Sequence, residues 1–216
     1  LYYTRGIFPW GNECYLRSDM YHQYAPFFSE LWHKIRNGES LTYSWNIGMG
    51  TNFTSLFAYY LASPSNWFVA LFPQKYTIEI MNAFIILKIA GSSLSLTYYL
   101  TKHNNNKHVI AAIFGMFYGM SGFIAAYSWN IMWLDCVILI PLIMLGLERL
   151  VNENRCIFYC ITLGLCIFTN YYIAIMVCLS VVIYYVVLMI AYNGIKSPMQ
   201  YLSLIHISEP TRRRGI

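Results

Sequence analysis

The chain has 216 residues, of which 58% are hydrophobic and 11% are charged, and its net charge is +5. Soluble globular domains carry nearer ~25% charged residues, so this composition excludes a single water-soluble core and predicts an all-α polytopic membrane protein. The net charge falls to +3 without residues 202–216, which hold three arginines and one glutamate. The positive charge is therefore no signal for nucleic acid, and no nucleic-acid partner is expected.

Residues 1–10 are predicted to be the end of a truncated first transmembrane helix, followed by a turn at Pro9 and Gly11. Residues 11–77 are predicted to form a large extracellular loop. This loop holds four of the nine acidic residues within positions 11–60, namely Glu13, Asp19, Glu30 and Glu39. Any chemistry on a polar substrate is expected to draw on this segment.

Within the loop, residues 18–36 show apolar side chains at steps of three and four, which predicts an amphipathic helix. Ser18 is a suitable N-cap, and Asn37-Gly38 is a stop signal. The helix is too polar to span a bilayer, so we expect it to lie along the membrane surface with His33 and Lys34 facing water. Residues 43–54 are interpreted as a loop, and residues 57–72, broken by Pro64, as two short interfacial helices.

Residues 78–201 are predicted to be a transmembrane bundle of about five spans. The spans cover residues 78–100, 109–127, 136–150, 157–169 and 173–192, and the fourth is short. Gly115, Gly119 and Gly122 in the second span permit close approach of a neighbouring helix. Basic residues occur in alternate connections, which places the active face outside the cell membrane by the positive-inside rule.

Residues 202–216 resemble the translation of a transposon end used to prepare sequencing libraries, and we interpret them as a sequencing-adapter artefact. Five of the six cysteines lie in apolar runs, where a thiol behaves as a small hydrophobic group. Cys156 and Cys160 share a helix face but have no histidine or carboxylate beside them, so no metal site is predicted.

Asp19 is the main candidate for a catalytic residue. Its carboxylate could act as a base toward a sugar or polyol hydroxyl, with His22 and Gln23 as supporting polar contacts. The alternative is a structural role, in which Asp19 satisfies backbone N–H groups at the start of the helix.

Four further residues are candidates for substrate binding. Asp135 and Lys88 are ionisable residues at membrane depth, which indicates either a function or side chains that extend to the interface. Arg17 could bind an anionic headgroup, or could simply be a solvated charge near anionic lipid. Asn170 interrupts an apolar run with hydrogen-bonding groups, which favours a water-facing cavity.

Five motifs in order resemble the YfhO family of bacterial membrane proteins over about residues 6–192. They are S-D-M-x-x-Q-Y, Y-S-W-N-I-G-M-G, Y-Y-L-A-S-P-S-N, I-M-W-L-D-C-V-I-L-I-P-L and T-N-Y-Y-I. The resemblance implies a GT-C-like helix bundle, of which this chain is an N-terminal fragment. GT-C enzymes carry an essential acidic residue in the first extracellular loop, and Asp19 in the S-D-M motif matches it.

The resemblance further implies a glycosyltransferase that moves a sugar from a polyprenyl-phosphate donor to a cell-wall polymer such as lipoteichoic acid. The expected partners are the lipid-linked sugar, the polymer acceptor and membrane lipids. Arg, Lys or a divalent cation would stabilise the leaving phosphate. Two alternatives stay open: a transporter or flippase of a lipid-linked substrate, and a non-catalytic protein of envelope assembly.

Overall fold

The computed structural model describes residues 3–7, 10–13, 16, 19–104 and 108–193, with side chains described as far as residue 191. Arg17, Ser18 and residues 194–216 lie outside this part of the chain, as do the adapter-like tail and the proposed Ser18 cap. The described residues are almost all helical, which confirms the predicted all-α fold class.

Residues 19–72 are named the outer segment after the side of the membrane that the sequence predicts for them. Their amphipathic helix begins as a π-helical turn, Met20–Tyr24, and continues as α1 (Ala25–Asn37). Gly38 ends it in the left-handed region, with φ of +66°, as the stop signal predicts. The Asp19 side chain makes no capping hydrogen bond at the start of this turn. The apolar stripe of the helix faces inward, where Met20, Phe28 and Leu31 are fully buried.

The segment after α1 folds into a small antiparallel hairpin of β1 (Tyr43–Ser44) and β2 (Thr51–Asn52), where the sequence predicted only a loop. Its turn has positive φ at Gly48, Met49 and Gly50; the two glycines adopt it without a Cβ penalty, and Met49 adopts it between them. The hairpin covers Lys34, so the prediction that this side chain faces water is wrong. Lys34 is 3% exposed, and its Nζ donates to the carbonyls of Ser40 and Tyr43 at 3.0 and 2.9 Å.

Residues 57–72 form two short helical pieces, as predicted from the interruption at Pro64. Asn52 caps α2 (Phe53–Leu56), accepting from two backbone N–H groups, and α2 runs into a π-helical turn, Phe57–Leu61. A 3-10 helix, Pro64–Leu71, follows.

Six helices build the rest of the described chain: α3 (Thr77–His103), α4 (His108–Gly119), α5 (Gly122–Tyr127), α6 (Ile131–Glu153), α7 (Ile157–Thr169) and α8 (Tyr171–Asn193). Four stretches among the described residues are long and apolar enough to cross a membrane: Gln74–His103, His108–Tyr127, Ile131–Glu153 and Tyr171–Ala191. α7 is apolar but shorter, so the five-span count stays a prediction.

One boundary differs clearly from the sequence analysis. The third predicted span starts at residue 136, whereas α6 starts at Ile131 and includes Asp135 in its second turn. The sequence predicted Asp135 at the mouth of the span, where burial of an ionisable side chain is costly. In the structure Lys88 of α3 pairs with it, so the helix includes the charge.

The bundle is arranged around α3 and α6, which pack against each other; α4 lies along α3, and α7 and α8 lie along α6. Gly115 and Gly119 allow α4 to approach α3 closely, because an added Cβ there would collide with the hydroxyls of Thr97 and Ser93. Gly122 has open space around it and plays no such part.

Candidate active site at the outer segment

Asp19 lies immediately before the π-helical turn and is half-buried. Its carboxylate makes no hydrogen bond or ion pair with any other described residue, and it does not cap the helix. Burial raises the pKa of the Tyr24 phenol, and the negative charge of Asp19 raises it further. Burial also raises the pKa of Tyr60, helped by Tyr59 and then Asp19. Within the described part of the chain Asp19 is therefore a free carboxylate beside two phenols, and its side chain does not cap the helix.

Aromatic rings from four separate parts of the chain contact one another, and two of them, Tyr24 and Tyr60, lie beside this carboxylate. We refer to the set as the aromatic wall: Tyr24, Tyr59, Tyr60, Trp129 and Tyr171. Tyr24 stacks on Trp129 with ring centroids 6.2 Å apart and contacts Tyr60 at 5.6 Å. Tyr59 meets the edge of Tyr171 at 5.7 Å. The wall therefore joins the outer segment to the N-terminal ends of α6 and α8.

A buried hydrogen bond links the outer segment to the start of α6. The Tyr24 hydroxyl donates to Asn130 Oδ1 at 2.7 Å, and both side chains are almost fully buried. Gln23 also joins the site, because its Oε1 accepts from the Tyr60 hydroxyl at 3.3 Å. His22 does not: it is exposed and contacts only the ring of Tyr21, at 5.1 Å.

Lys88 and Asp135 form an ion pair between α3 and α6, one turn beyond Asn130. Lys88 Nζ lies 2.7 Å from Asp135 Oδ2 and also donates to the carbonyl of Ile131 at 3.2 Å. The lysine is 5% exposed and the aspartate 14%. Lys88 therefore does not extend to the interface, because it pairs with a carboxylate inside the bundle. An ammonium has three donors, so one N–H of Lys88 stays available.

Asn170 connects α8 to the outer segment. Its Nδ2 donates to the carbonyl of Tyr59 at 3.1 Å, and its Oδ1 accepts from the backbone N–H of Ile173 at 2.9 Å. The residue is fully buried. Asn170 therefore caps α8 and holds Tyr59 in place, and it does not line a water-facing cavity as the sequence predicted.

Two donors in this region were missed by the sequence analysis. Asn130 Nδ2 and Trp133 Nε1 are buried and have no hydrogen-bond partner among the described residues. Asn130 and Trp133 are three positions apart, on one face of the first turn of α6. The signal that could have revealed them is the polar and aromatic W-N-I-M-W run directly before an apolar span.

The described residues offer no cluster that fits a metal ion. No three His, Cys, Asp or Glu side chains among them meet in a suitable arrangement, and the region of Asp19 supplies one free carboxylate. Cys136, Cys156, Cys160, Cys166 and Cys178 are free thiols. No step below is therefore assigned to a divalent cation.

The helical fold and its four long apolar stretches define an all-α polytopic membrane protein, with buried polar groups concentrated at one end of the helices. The sequence matches the family described as bacterial membrane protein YfhO over residues 1–209, and the chain belongs to that family. No curated protein and no solved structure matches the chain. The family match runs eight residues into segment 202–216, whose interpretation as an adapter artefact stays a prediction.

Proposed function

We propose that this chain belongs to a membrane glycosyltransferase that moves a sugar from a polyprenyl-phosphate donor to an extracytoplasmic cell-wall polymer such as lipoteichoic acid. The observation that carries the proposal is the free, half-buried carboxylate of Asp19 beside the aromatic wall. A carboxylate that does no structural work in such a setting is suited to proton transfer.

Asp19 would act as the general base. Its carboxylate takes the proton of an acceptor hydroxyl while that oxygen forms a bond to the anomeric carbon of the donor sugar. The bond between the anomeric carbon and the phosphate oxygen breaks, and the polyprenyl phosphate leaves with the electron pair.

The aromatic wall would hold the sugar. Rings such as Trp129 and Tyr60 can pack on the apolar face of a pyranose, and the free N–H groups of Asn130 and Trp133 can donate to its oxygens. These two donors are covered by neighbouring side chains. Tyr172, which stacks on Trp133 at 6.5 Å and is half exposed, is the ring whose displacement would uncover Trp133.

The leaving phosphate needs positive charge or N–H donors near the aromatic wall. Lys88 can contribute only its one unused N–H, because Asp135 and the carbonyl of Ile131 engage the others. Its main contribution would be to fix the start of α6, and with it Asn130. Arg17 stays a candidate for the phosphate on the sequence argument alone.

Charge distribution supports an extracytoplasmic site. Lys102, Arg149 and Arg155 lie at the ends of α3 and α6 remote from Asp19. Basic residues concentrate on the cytoplasmic side of membrane proteins. A donor that arrives laterally in the bilayer would then meet Asp19 at headgroup level on the opposite side.

The test is Asp19→Asn in the intact protein, with glycosylation of the polymer measured in cells. We expect a loss of about 10²–10⁴-fold at unchanged protein level, which is the usual contribution of a general base. Glu39→Gln is the matched control, because Glu39 is an exposed carboxylate of the same segment. Full glycosylation with Asp19→Asn would contradict the proposal.

A transporter or flippase is the second candidate, and the buried Lys88–Asp135 pair favours it, because intramembrane charges mark substrate pathways. The two functions differ in their need for an acceptor. Vesicles containing the intact protein and a lipid-linked sugar, with no polymer present, separate them. Movement of the lipid across the bilayer in those vesicles would support the flippase.

A further inference from the structure

A cavity with polar side chains in its wall lies at the start of α3. The cavity is about 590 Å³ and is bounded by Gly11–Glu13 on one side and the first turns of α3 on the other. Phe72 and Tyr76 form its apolar wall. Asn82 and Lys88 point about 120° apart around α3, so this cavity and the ion pair face different sides of the helix.

The polar wall of this cavity contains groups that the fold leaves without partners. Asn82 is 2% exposed, and neither its Nδ2 nor its Oδ1 has a hydrogen-bond partner among the described residues. Glu79 Oε2 is also buried and has no hydrogen-bond partner among the described residues. Glu79 and Asn82 are three positions apart on one helix face. Buried polar atoms without partners are destabilising, so a role outside folding explains why they are kept there.

The unpaired atoms specify the chemistry of a ligand. Asn82 Oδ1 and Glu79 Oε2 accept hydrogen bonds, whereas Asn82 Nδ2 donates. A metal ion would satisfy the two oxygens and leave the amide donor unpaired. A phosphate would be repelled by Glu13 and Glu79, and no Lys, Arg or His among the described residues lines the cavity. Hydroxyl groups both donate and accept, so they match the whole set.

We infer that this cavity binds a neutral, hydroxyl-rich ligand, a carbohydrate or polyol, through Glu79 and Asn82, with the rings of Phe72 and Tyr76 against its C–H face. The two amide atoms of Asn82 are covered in the ligand-free structure. Turning the side chain toward the cavity would break no hydrogen bond with any described residue. The inference does not depend on the proposed transfer reaction.

Asn82→Leu in the intact protein, held in nanodiscs, is the decisive variant, because leucine keeps the volume and removes both the donor and the acceptor. The probes are two neutral compounds, methyl β-glucopyranoside and the acyclic polyol glucitol, with binding followed by saturation-transfer NMR. We expect Asn82→Leu to bind the recognised probe at least about tenfold more weakly, as the loss of one or two hydrogen bonds requires. Asn104→Leu, at the exposed far end of the same helix, should bind normally.

The two probes separate the sources of the ligand. Binding of the glucoside alone identifies a sugar ring as the ligand, and binding of glucitol alone identifies an acyclic polyol. The inference is overturned if neither probe binds, or if Asn82→Leu binds as well as the wild type. It is also overturned if a divalent cation binds in the cavity and Glu79→Gln abolishes that binding, because the site would then recognise a cation.

A structural role for Asn82 gives a different result. If Asn82 only supported the fold, Asn82→Leu would lower the melting temperature of the ligand-free protein and leave the probe-induced shift intact. We expect the reverse: an unchanged or higher melting temperature and no probe-induced shift. The transfer reaction is measured separately, as polymer glycosylation with Asp19→Asn, so failure of the transfer reaction and failure of this inference can be told apart.

Discussion

The two ends of α6 each bury a carboxylate, and the surroundings of these carboxylates differ. Asp135 and Glu148 are 13 residues apart, about 20 Å along the helix. Glu148 Oε1 accepts from the hydroxyls of Tyr99 and Tyr184 at 2.7 and 2.5 Å, and His103 Nδ1 lies 3.0 Å from it. Asp135 has one strong partner, Lys88. It follows Asn130 by five residues and Trp133 by two, and the side-chain donors of both have no partner among the described residues.

This difference separates structure from function within one helix. The Glu148 end is a closed network that joins α3, α6 and α8, and it leaves the carboxylate fully satisfied. The opposite end of α6, which lies next to the outer segment and which we call the outer end, contains Asn130 and Trp133. Their side-chain N–H groups have no partner among the described residues. Natural proteins keep unpaired buried groups where a ligand or a reaction uses them. The predictions below test whether the two ends behave as this difference requires.

Removing Asp135 should have the largest effect on stability. Asp135→Ala leaves the ammonium of Lys88 buried and unpaired, so we expect a loss of about 3–5 kcal/mol in the free energy of unfolding. Thermal or denaturant unfolding of the intact protein in detergent measures it. The double variant Lys88→Met with Asp135→Leu should recover most of that loss. If the double variant were as unstable as Asp135→Ala, the unpaired charge would not be the cause.

The Glu148 end should respond more mildly to neutralisation. Glu148→Gln keeps the size and one acceptor but loses charge-assisted bonds from Tyr99 and Tyr184, which predicts a loss of about 1.5–3 kcal/mol. The same unfolding assay applies. Polymer glycosylation should be unchanged at equal protein level, because this end lies far from Asp19. Reduced glycosylation in that variant would argue against a purely structural role.

The elements were more predictable than the contacts between them. The stripe of α1, its stop at Gly38 and the long apolar helices follow from periodicity and composition, which are local properties. The pairing of Lys88 with Asp135 and the burial of Lys34 are not local, since each depends on an element distant in sequence. Read alone, Lys34 predicted a solvated position, whereas Lys88 and Asp135 predicted either a function at membrane depth or side chains that extend to the interface.

The candidate site was predicted in the same uneven way. The sequence placed Asp19 and Gln23 near the chemistry, and the structure shows both beside the aromatic wall. It also proposed Asn170 for substrate binding, whereas the structure uses both of its polar atoms internally. A hydrogen-bonding residue inside an apolar run predicts a polar contact, but it cannot say whether the partner is a ligand or the backbone of another segment.

A third buried carboxylate, Glu30, extends the comparison outside the spans. Burial raises its pKa, but hydrogen bonds from Ser44 and Asn46 and the charge of Lys34 outweigh burial and hold the pKa below its ordinary value of 4.5. A lowered folded-state pKa contributes stability above the unfolded value, and that contribution is lost as the pH falls through the folded-state pKa.

The outer segment should therefore lose stability below about pH 4.5, by less than the two bundle variants lose. Limited proteolysis of the α1–hairpin region across that range measures the loss. Glu30→Gln removes the titrating group, so its protection should no longer depend on pH in this window. Equal acid sensitivity in the variant would assign the effect to other carboxylates.

The smallest stability difference is expected between two tryptophans at the start of α6. Trp129 Nε1 donates to the carbonyl of Ala126 at 3.0 Å, whereas Trp133 Nε1 has no partner among the described residues. Trp129→Phe should therefore be less stable than Trp133→Phe by about 0.5–1.5 kcal/mol, the net value of one hydrogen bond.

If the N–H of Trp133 binds a ligand, Trp133→Phe should lower polymer glycosylation more than Trp129→Phe does, although it is the more stable of the two variants. Trp133→Phe keeps the stacked ring against Tyr172 but removes the donor, so polymer glycosylation should fall although the protein stays folded. If glycosylation fell only in proportion to the amount of folded protein, Trp133 would be a packing residue without a role in ligand binding. Stability and activity that rank the two tryptophans in opposite orders would identify the outer end of α6 as the part of the helix kept for chemistry.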